Sequence, residues 1–222
     1  MIRFVNVSKH YSNGHHALNN INFQMESGEM VFLTGHSGAG KSTLLKLIML
    51  MESLTRGQIY VNNRNLASLS KRQIPHLRRR IGMIFQNPQL LSYHTVFNNV
   101  ATPLIISGYQ HKEIKRRTHA ALDKVGLLKK EKLFPLALSA GEQQRVGIAR
   151  AIVNKPSIVL ADEPTGNLDP ELSHEIMDLF EAFNDVGVTV LVATHDLPLI
   201  APLNHRIINL KEGSIVADQS HL

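Results

Sequence analysis

Gly35-His36-Ser37-Gly38-Ala39-Gly40-Lys41-Ser42 decides the fold of this 222-residue chain. The octapeptide has the spacing G-x-x-x-x-G-K-[ST]. It lies between an apolar run, Met30 to Thr34, and a leucine-rich run, Ser42 to Glu52. Strand, glycine loop and helix in that order make a phosphate cradle. The glycines let backbone N–H groups curl around anionic oxygens, and the helix start adds partial positive charge. Lys41 is placed to reach the β- and γ-phosphates of a nucleotide, and the Ser42 hydroxyl to meet Mg2+. Thr43 joins the eight loop residues as a nucleotide-contacting candidate. The bland alternative, a glycine-rich strand-to-helix turn without a ligand, is disfavoured by this context.

A second apolar run, Ser157 to Ala161, reads as a strand buried on both faces of a parallel sheet. It ends in Asp162-Glu163-Pro164. At that strand end Asp162 is placed to hold Mg2+, and Glu163 to polarise an attacking water as general base. Proline disfavours the right-handed helical region for the residue before it, so Glu163 is expected to be extended. An Asp-Glu pair alone is usually a solvated surface feature; beside a phosphate loop it becomes a catalytic candidate.

Outward from these two strands the pattern is α/β. Ile2 to Val7 and Ile21 to Met25 alternate like half-buried strands, and Tyr11-Ser12-Asn13-Gly14 has turn chemistry. Gln58 to Asn62, Ile81 to Phe85, Val188 to Thr194, Arg206 to Leu210 and Ser214 to Ala217 read as further strands, the last two forming a hairpin around Glu212-Gly213. Thr95 to Gly126 reads as helices broken at Pro103 and Gly108, and Glu142 to Asn154 and Glu171 to Asn184 as helices. The expectation is a single domain over 1–222. It has a mixed core sheet, an N-terminal antiparallel β part and a helical subdomain inserted at about 87–140.

Composition sets bounds. Apolar residues are 43% and charged residues 19%, which excludes a disordered or fibrous chain. No cysteine is present, so a disulfide scaffold, a thiolate metal site and a thiol nucleophile are excluded. The N-terminus has no signal-peptide core, and no apolar run approaches the roughly 20 residues that cross a bilayer. The net charge is +6, but it is unevenly spread. Residues 64–132 hold 14 Lys or Arg against three acids, Glu113, Asp123 and Glu131. Such a segment suits nucleic acid, an anionic membrane surface, or simply a solvated helical face.

Leu138-Ser139-Ala140-Gly141-Glu142-Gln143-Gln144-Arg145 resembles the signature that separates ATP-binding-cassette (ABC) ATPases from other phosphate-loop ATPases. Other landmarks fall in that family's order. Tyr11, in Tyr-x-x-Gly-x-x-Ala-Leu, resembles its adenine-stacking aromatic. Gln86 follows a strand as the Q-loop glutamine does, Asn167-Leu168-Asp169 resembles the D-loop, and His195 stands where the switch histidine does. The resemblance covers about residues 2–217 and implies the ABC type of phosphate-loop fold. It also implies a head-to-tail homodimer with two ATP molecules sandwiched. Ser139 and Gly141 would contact nucleotide in the opposite subunit, Asp169 would lie near it, His195 would contact the γ-phosphate, and Gln86 would help to hold Mg2+. Ser139-x-x-Glu142 is also a capping box in its own right. Three positions depart from the family pattern. Ala140 stands where glycine is usual and adds a methyl near the phosphate. Leu50 and Leu54 stand where glycine and proline are usual, so the helix from Ser42 is expected to run longer.

Within the family, Arg79 to Gln86, Gly141 to Pro156 and Ala161 to Leu168 are similar to the bacterial cell-division ATPases. That implies an integral membrane subunit of the FtsX type as partner, a link to the division machinery, and a peripheral place on the cytoplasmic face of the plasma membrane at the septum. The lipoprotein-release and macrolide-efflux ATPases share some of these runs and are the alternative. A soluble ABC ATPase on nucleic acid fits less well, because such proteins carry paired cassettes or a long coiled coil. The loop Asn87 to Tyr93, with Leu90 and Leu91, is expected to receive an amphipathic helix of the membrane partner, with the basic segment facing the bilayer.

Overall fold

The structure, a computed structural model, describes residues 1–12 and 14–219. Asn13, within the expected Tyr11 to Gly14 turn, lies outside the described residues. In chain order the strands are β1 (Ile2–His10), β2 (His16–Met25), β3 (Met30–Thr34), β4 (Arg56–Val61), β5 (Arg64–Asn65), β6 (Ile81–Phe85), β7 (Ile158–Asp162), β8 (Thr189–Ala193), β9 (Arg206–Lys211) and β10 (Ser214–Gln219). The helices are α1 (Lys41–Ile48), α2 (Ile74–Arg79), α3 (Val96–Ile106), α4 (His111–Lys124), α5 (Ala140–Ile152), α6 (Pro170–Asp185) and α7 (Leu197–Ile200).

Two sheets form. Strands β2-β1-β4-β5 make an antiparallel sheet, and β10-β9-β3-β8-β7-β6 make the core sheet. In the latter β9, β3, β8, β7 and β6 run parallel and β10 returns antiparallel. Apart from one polar residue at an end of each (Thr34, Asp162 and Thr189), the central strands β3, β7 and β8 are apolar because both faces are covered. Met30, Phe32, Val159, Ala161, Val190 and Val192 face a core shared with α3 to α6. Val31, Leu33, Leu160 and Leu191 point the other way, into a core shared with α1 and the antiparallel sheet. The mixed sheet, the N-terminal antiparallel part and the helices between β6 and β7 match the sequence reading.

Helix α2 was not foreseen, and among the element boundaries that differ from the sequence reading three bear on the argument. First, β1 and β2 reach almost to the turn, pairing His10 with His16. Second, α3 continues through Pro103. The proline sits in the last turn, where it removes one backbone bond, and the helix stops at Gly108, with φ 78°. Third, α1 does not run longer; it ends at Ile48. Leu50 takes a left-handed conformation, φ 51°, while Met51 N–H donates to the Lys46 carbonyl (2.9 Å) and Leu50 N–H to that of Leu47 (3.1 Å). This is a Schellman ending with leucine in the place that favours glycine. Arg78 holds it shut by donating to the carbonyls of Met49 (3.0 Å) and Leu50 (2.8 Å).

Candidate nucleotide site

The loop between β3 and α1 is shaped by close backbone approaches. A Cβ on Gly35 would lie 2.3 Å from the Leu210 carbonyl oxygen, and one on Gly40 2.5 Å from that of Ala17. Both residues have positive φ, so neither position tolerates a side chain. Among the described residues, no side chain caps α1, whereas α3, α5, α6 and α7 each have a side-chain cap. The first N–H groups of α1 therefore face the cleft in front of the loop with no protein acceptor. The cleft has a volume of about 440 Å3 and brings residues 36–43 together with Gln86, Glu163 and His195. His36, Ser37, Gly38, Ala39, Gly40, Lys41, Ser42 and Thr43 thus line one continuous wall. His15 and Ala17 line it too; the sequence reading did not assign them, because His15 lies in the link before β2 and Ala17 near the start of β2, where no catalytic spacing marks them.

Lys41 is nearly buried, and its ammonium donates to the Gly35 carbonyl (2.6 Å) and pairs with Glu163 Oε1 (3.1 Å). The second Glu163 oxygen bonds His195 Nδ1 at 2.8 Å. Glu163 is not extended as expected. Its φ is 49°, in the left-handed region. Pro164 excludes the right-handed helix. Two backbone bonds then select the left-handed turn: Glu163 N–H to Ala193 (2.9 Å) and Gly166 N–H back to Glu163 (3.2 Å). A non-glycine residue pays for this conformation, and such strain concentrates at functional sites.

Asp162 is the last residue of β7, and its Oδ1 accepts the Ser42 hydroxyl at 2.9 Å. Burial pushes its pKa up; the Ser42 bond opposes the shift and the neighbouring Glu163 carboxylate adds to it. Among the described residues, no three His, Asp or Glu side chains form a metal cluster. One buried carboxylate with one hydroxyl, facing a phosphate cradle, is a donor set suited to Mg2+, which shares its coordination with phosphate oxygens and water. The Gln86 side chain packs against Gly166, whose Cβ would lie 2.9 Å from Gln86 Nε2, at the rim of the same cleft.

Other expected residues lie outside this cleft. The Tyr11 hydroxyl is 3.5 Å from Thr43 Oγ1, and burial raises its pKa. Its ring is overlaid by the Lys9 ammonium (4.7 Å) and stacks with His15 (6.1 Å). Ser139 is exposed and caps α5 in a full capping box with Glu142. Glu142 also pairs with Lys130, and these two bonds draw its pKa down. Gly141 is buried, and a Cβ there would meet Leu172 at 2.6 Å. Asp169 caps α6 by accepting from Leu172 N–H (3.0 Å). Within one chain, then, Ser139, Gly141 and Asp169 form a separate cluster at the starts of α5 and α6. In the loop after Gln86, Leu91 and Tyr93 are exposed, but Leu90 packs against the core, so it is not free to receive a partner.

The sequence profile of the ABC transporter family matches residues 18–166. The chain belongs to the ABC transporter family. This ABC chain is 58% identical over 221 residues to the cell division ATP-binding protein FtsE of Escherichia coli (strain K12), with full coverage of both. It is 48% identical to FtsE of Bacillus subtilis (strain 168), over 99% of the chain and 96% of that protein. Among solved structures, the ABC chain is similar to a dimeric ATP-binding cassette in a post-hydrolysis state bound to ADP and Pi. That likeness has a TM-score of 0.91 and 36% identity, over 99% of the chain and 98% of the other.

Proposed function

We propose that this chain is the ATP-hydrolysing subunit of a bacterial cell-division ABC complex, with two copies closing around two ATP molecules. The observation that carries it is Glu163, held between Lys41 (3.1 Å) and His195 (2.8 Å) at the mouth of the phosphate cradle. The chain is one ATPase domain, with residues 87–140 as its helical insertion. Lys41 neutralises phosphate charge together with the free N–H groups at the start of α1. Glu163 accepts the proton of the attacking water. His195 uses Nδ1 to orient that carboxylate, which leaves Nε2 to meet the γ-phosphate. Ser42, Asp162 and Gln86 would hold Mg2+, which would supply positive charge against the phosphates. Tyr11 stacks on the adenine. Ser139, Gly141 and Asp169 act across the dimer, where the start of α5 offers N–H groups to the partner's nucleotide.

Closure drives a conformational change in an integral membrane subunit of the FtsX type, from a peripheral position on the cytoplasmic face of the membrane at the division septum. The exposed Leu91 and Tyr93 beside Gln86 are the docking contacts. Similarity to cell-division proteins supports this reading over lipoprotein release or macrolide efflux. The test is Glu163→Gln. The amide keeps the shape but accepts no proton, so ATP binding persists while steady-state turnover falls about 100-fold or more. Turnover at the wild-type rate overturns the assignment.

A further inference from the structure

A second cavity lies at the other ends of β6 and β7, the ends away from the nucleotide cleft. Its volume is about 960 Å3, and no carboxylate lines it among the described residues. Four permanent cations converge on it. Arg64 follows the tight Asn62-Asn63 turn, both residues at positive φ (50° and 60°). Arg79 ends α2, and Arg80 follows it with its carbonyl tied to Ser157 N–H (3.2 Å). Lys155 sits at φ 53° in the loop before β7, its N–H donating to Ile152 (2.8 Å). His76 lines the same wall.

Several other cations on the molecule already have partners among the described residues. Arg78 is spent on the carbonyls ending α1; Arg116 and Arg117 pair with Glu113, Arg145 with Glu175, and Arg206 with Glu29 and Asp218. Arg64, Arg80 and Lys155 form no ion pair and no side-chain hydrogen bond among the described residues. Arg79 has one long bond, 3.4 Å to the Ile106 carbonyl. Like charges crowded in a concavity without counter-charge repel one another and focus the field for an anion. Their backbones are held by turns and by the end of α2, so the ordering on binding falls on the side chains. Guanidinium forks fit phosphate oxygens in pairs, and the volume exceeds what a single phosphate fills.

We propose that this cavity binds a compact ligand bearing two or more clustered phosphates, independently of the nucleotide in the phosphate loop. The source of those phosphates is either a soluble polyphosphate anion or a phospholipid headgroup, and two arms separate them. In one, sodium tripolyphosphate is titrated calorimetrically into the full chain saturated with Mg2+ and a non-hydrolysable ATP analogue. In the other, cosedimentation is measured with phosphatidylcholine vesicles with and without cardiolipin, whose headgroup carries two phosphates. The comparison protein is R64S/R80S/K155S. Binding in at least one arm, weakened about tenfold or more in the triple variant with analogue affinity and melting temperature unchanged, is the expected result. The arm that responds names the source. Equal binding by wild type and variant, or no binding in either arm, overturns the proposal. Should the triple variant fold poorly, R80S and K155S singly replace it, and R64K/R80K, which keeps the charge but loses the forks, is expected to weaken binding less than R64S/R80S does.

Discussion

The Arg150 guanidinium, on α5, donates to the backbone carbonyls of Pro88 and Gln89. One side chain thereby ties the helix that begins at Ser139 to the loop that follows Gln86. The fit is flush: a Cβ on Gly147 would lie 2.8 Å from Pro88 Cβ, and Gln144 Nε2 donates to the Phe85 carbonyl at 3.1 Å. Burial pulls the Arg150 pKa down, the cost of seating a charge there.

Replacing Arg150 by alanine is expected to cost about 1–3 kcal/mol of stability, because charge-accepting carbonyls lose their donor. Amide exchange across residues 87–93 should accelerate, and turnover should fall while nucleotide affinity holds. Unchanged exchange in that segment, measured by mass spectrometry, would show that the loop is held by something else.

Asp162→Asn separates folding from catalysis. The folded pKa of Asp162 lies above its ordinary 3.8 because of burial. A raised pKa favours the protonated form on folding, so that stability is present below the unfolded value and is lost as pH rises through the folded one. At neutral pH the charged carboxylate is a burden, which the amide removes while still accepting from Ser42. Without Mg2+ the variant should melt higher than wild type at pH 7, with the difference shrinking as pH falls towards 4. Its affinity for Mg2+ in the presence of nucleotide should drop about 10- to 100-fold. A lower melting temperature at pH 7 contradicts this account.

Ser139 is exposed and lies outside the cleft of its own chain. Ser139→Arg is therefore expected to leave ATP binding to the monomer within about twofold, but to reduce turnover about 100-fold by blocking closure. Wild-type turnover should rise with protein concentration. A rate per chain that is independent of concentration down to full dissociation rules out the shared site.

Where a single local pattern carries a position, the sequence was readable. The loop from Gly35 to Ser42, the both-faces-buried strands β3, β7 and β8, and the Ser139 capping box were all legible before the structure. The conformation of Glu163 was not. Pro164 excludes one region, but the choice between extended and left-handed rests on the Ala193 carbonyl in β8. Leu90 and Leu91 are chemically alike; Leu90 packs against the core while the Asn99 side chain holds the Leu91 backbone through its N–H (2.8 Å) and carbonyl (3.1 Å), a contact between segments that no local pattern announces. His15 gained its place in the cleft from the pairing of β1 with β2, which no spacing announces.

The ending of α1 gives a stability test. Leu50→Gly relieves the left-handed backbone but loses a half-buried leucine, so the two effects nearly cancel, within about 1 kcal/mol. Leu50→Val keeps a side chain and adds β-branching where φ is 51°, and should cost more than about 1 kcal/mol. Denaturant midpoints measure both. A valine variant as stable as the glycine variant contradicts the assigned strain.

The clamp on that ending also has a timetable. The donor that stops the helix, Arg78, lies 28 residues downstream of Leu50. At about 5–20 residues per second of synthesis, it leaves the ribosome about 1–6 s later. Until then the local bonds of Leu50 and Met51 hold the ending without a donor for the carbonyls of Met49 and Leu50, so the geometry beneath the phosphate loop is completed by a residue translated well after the loop itself.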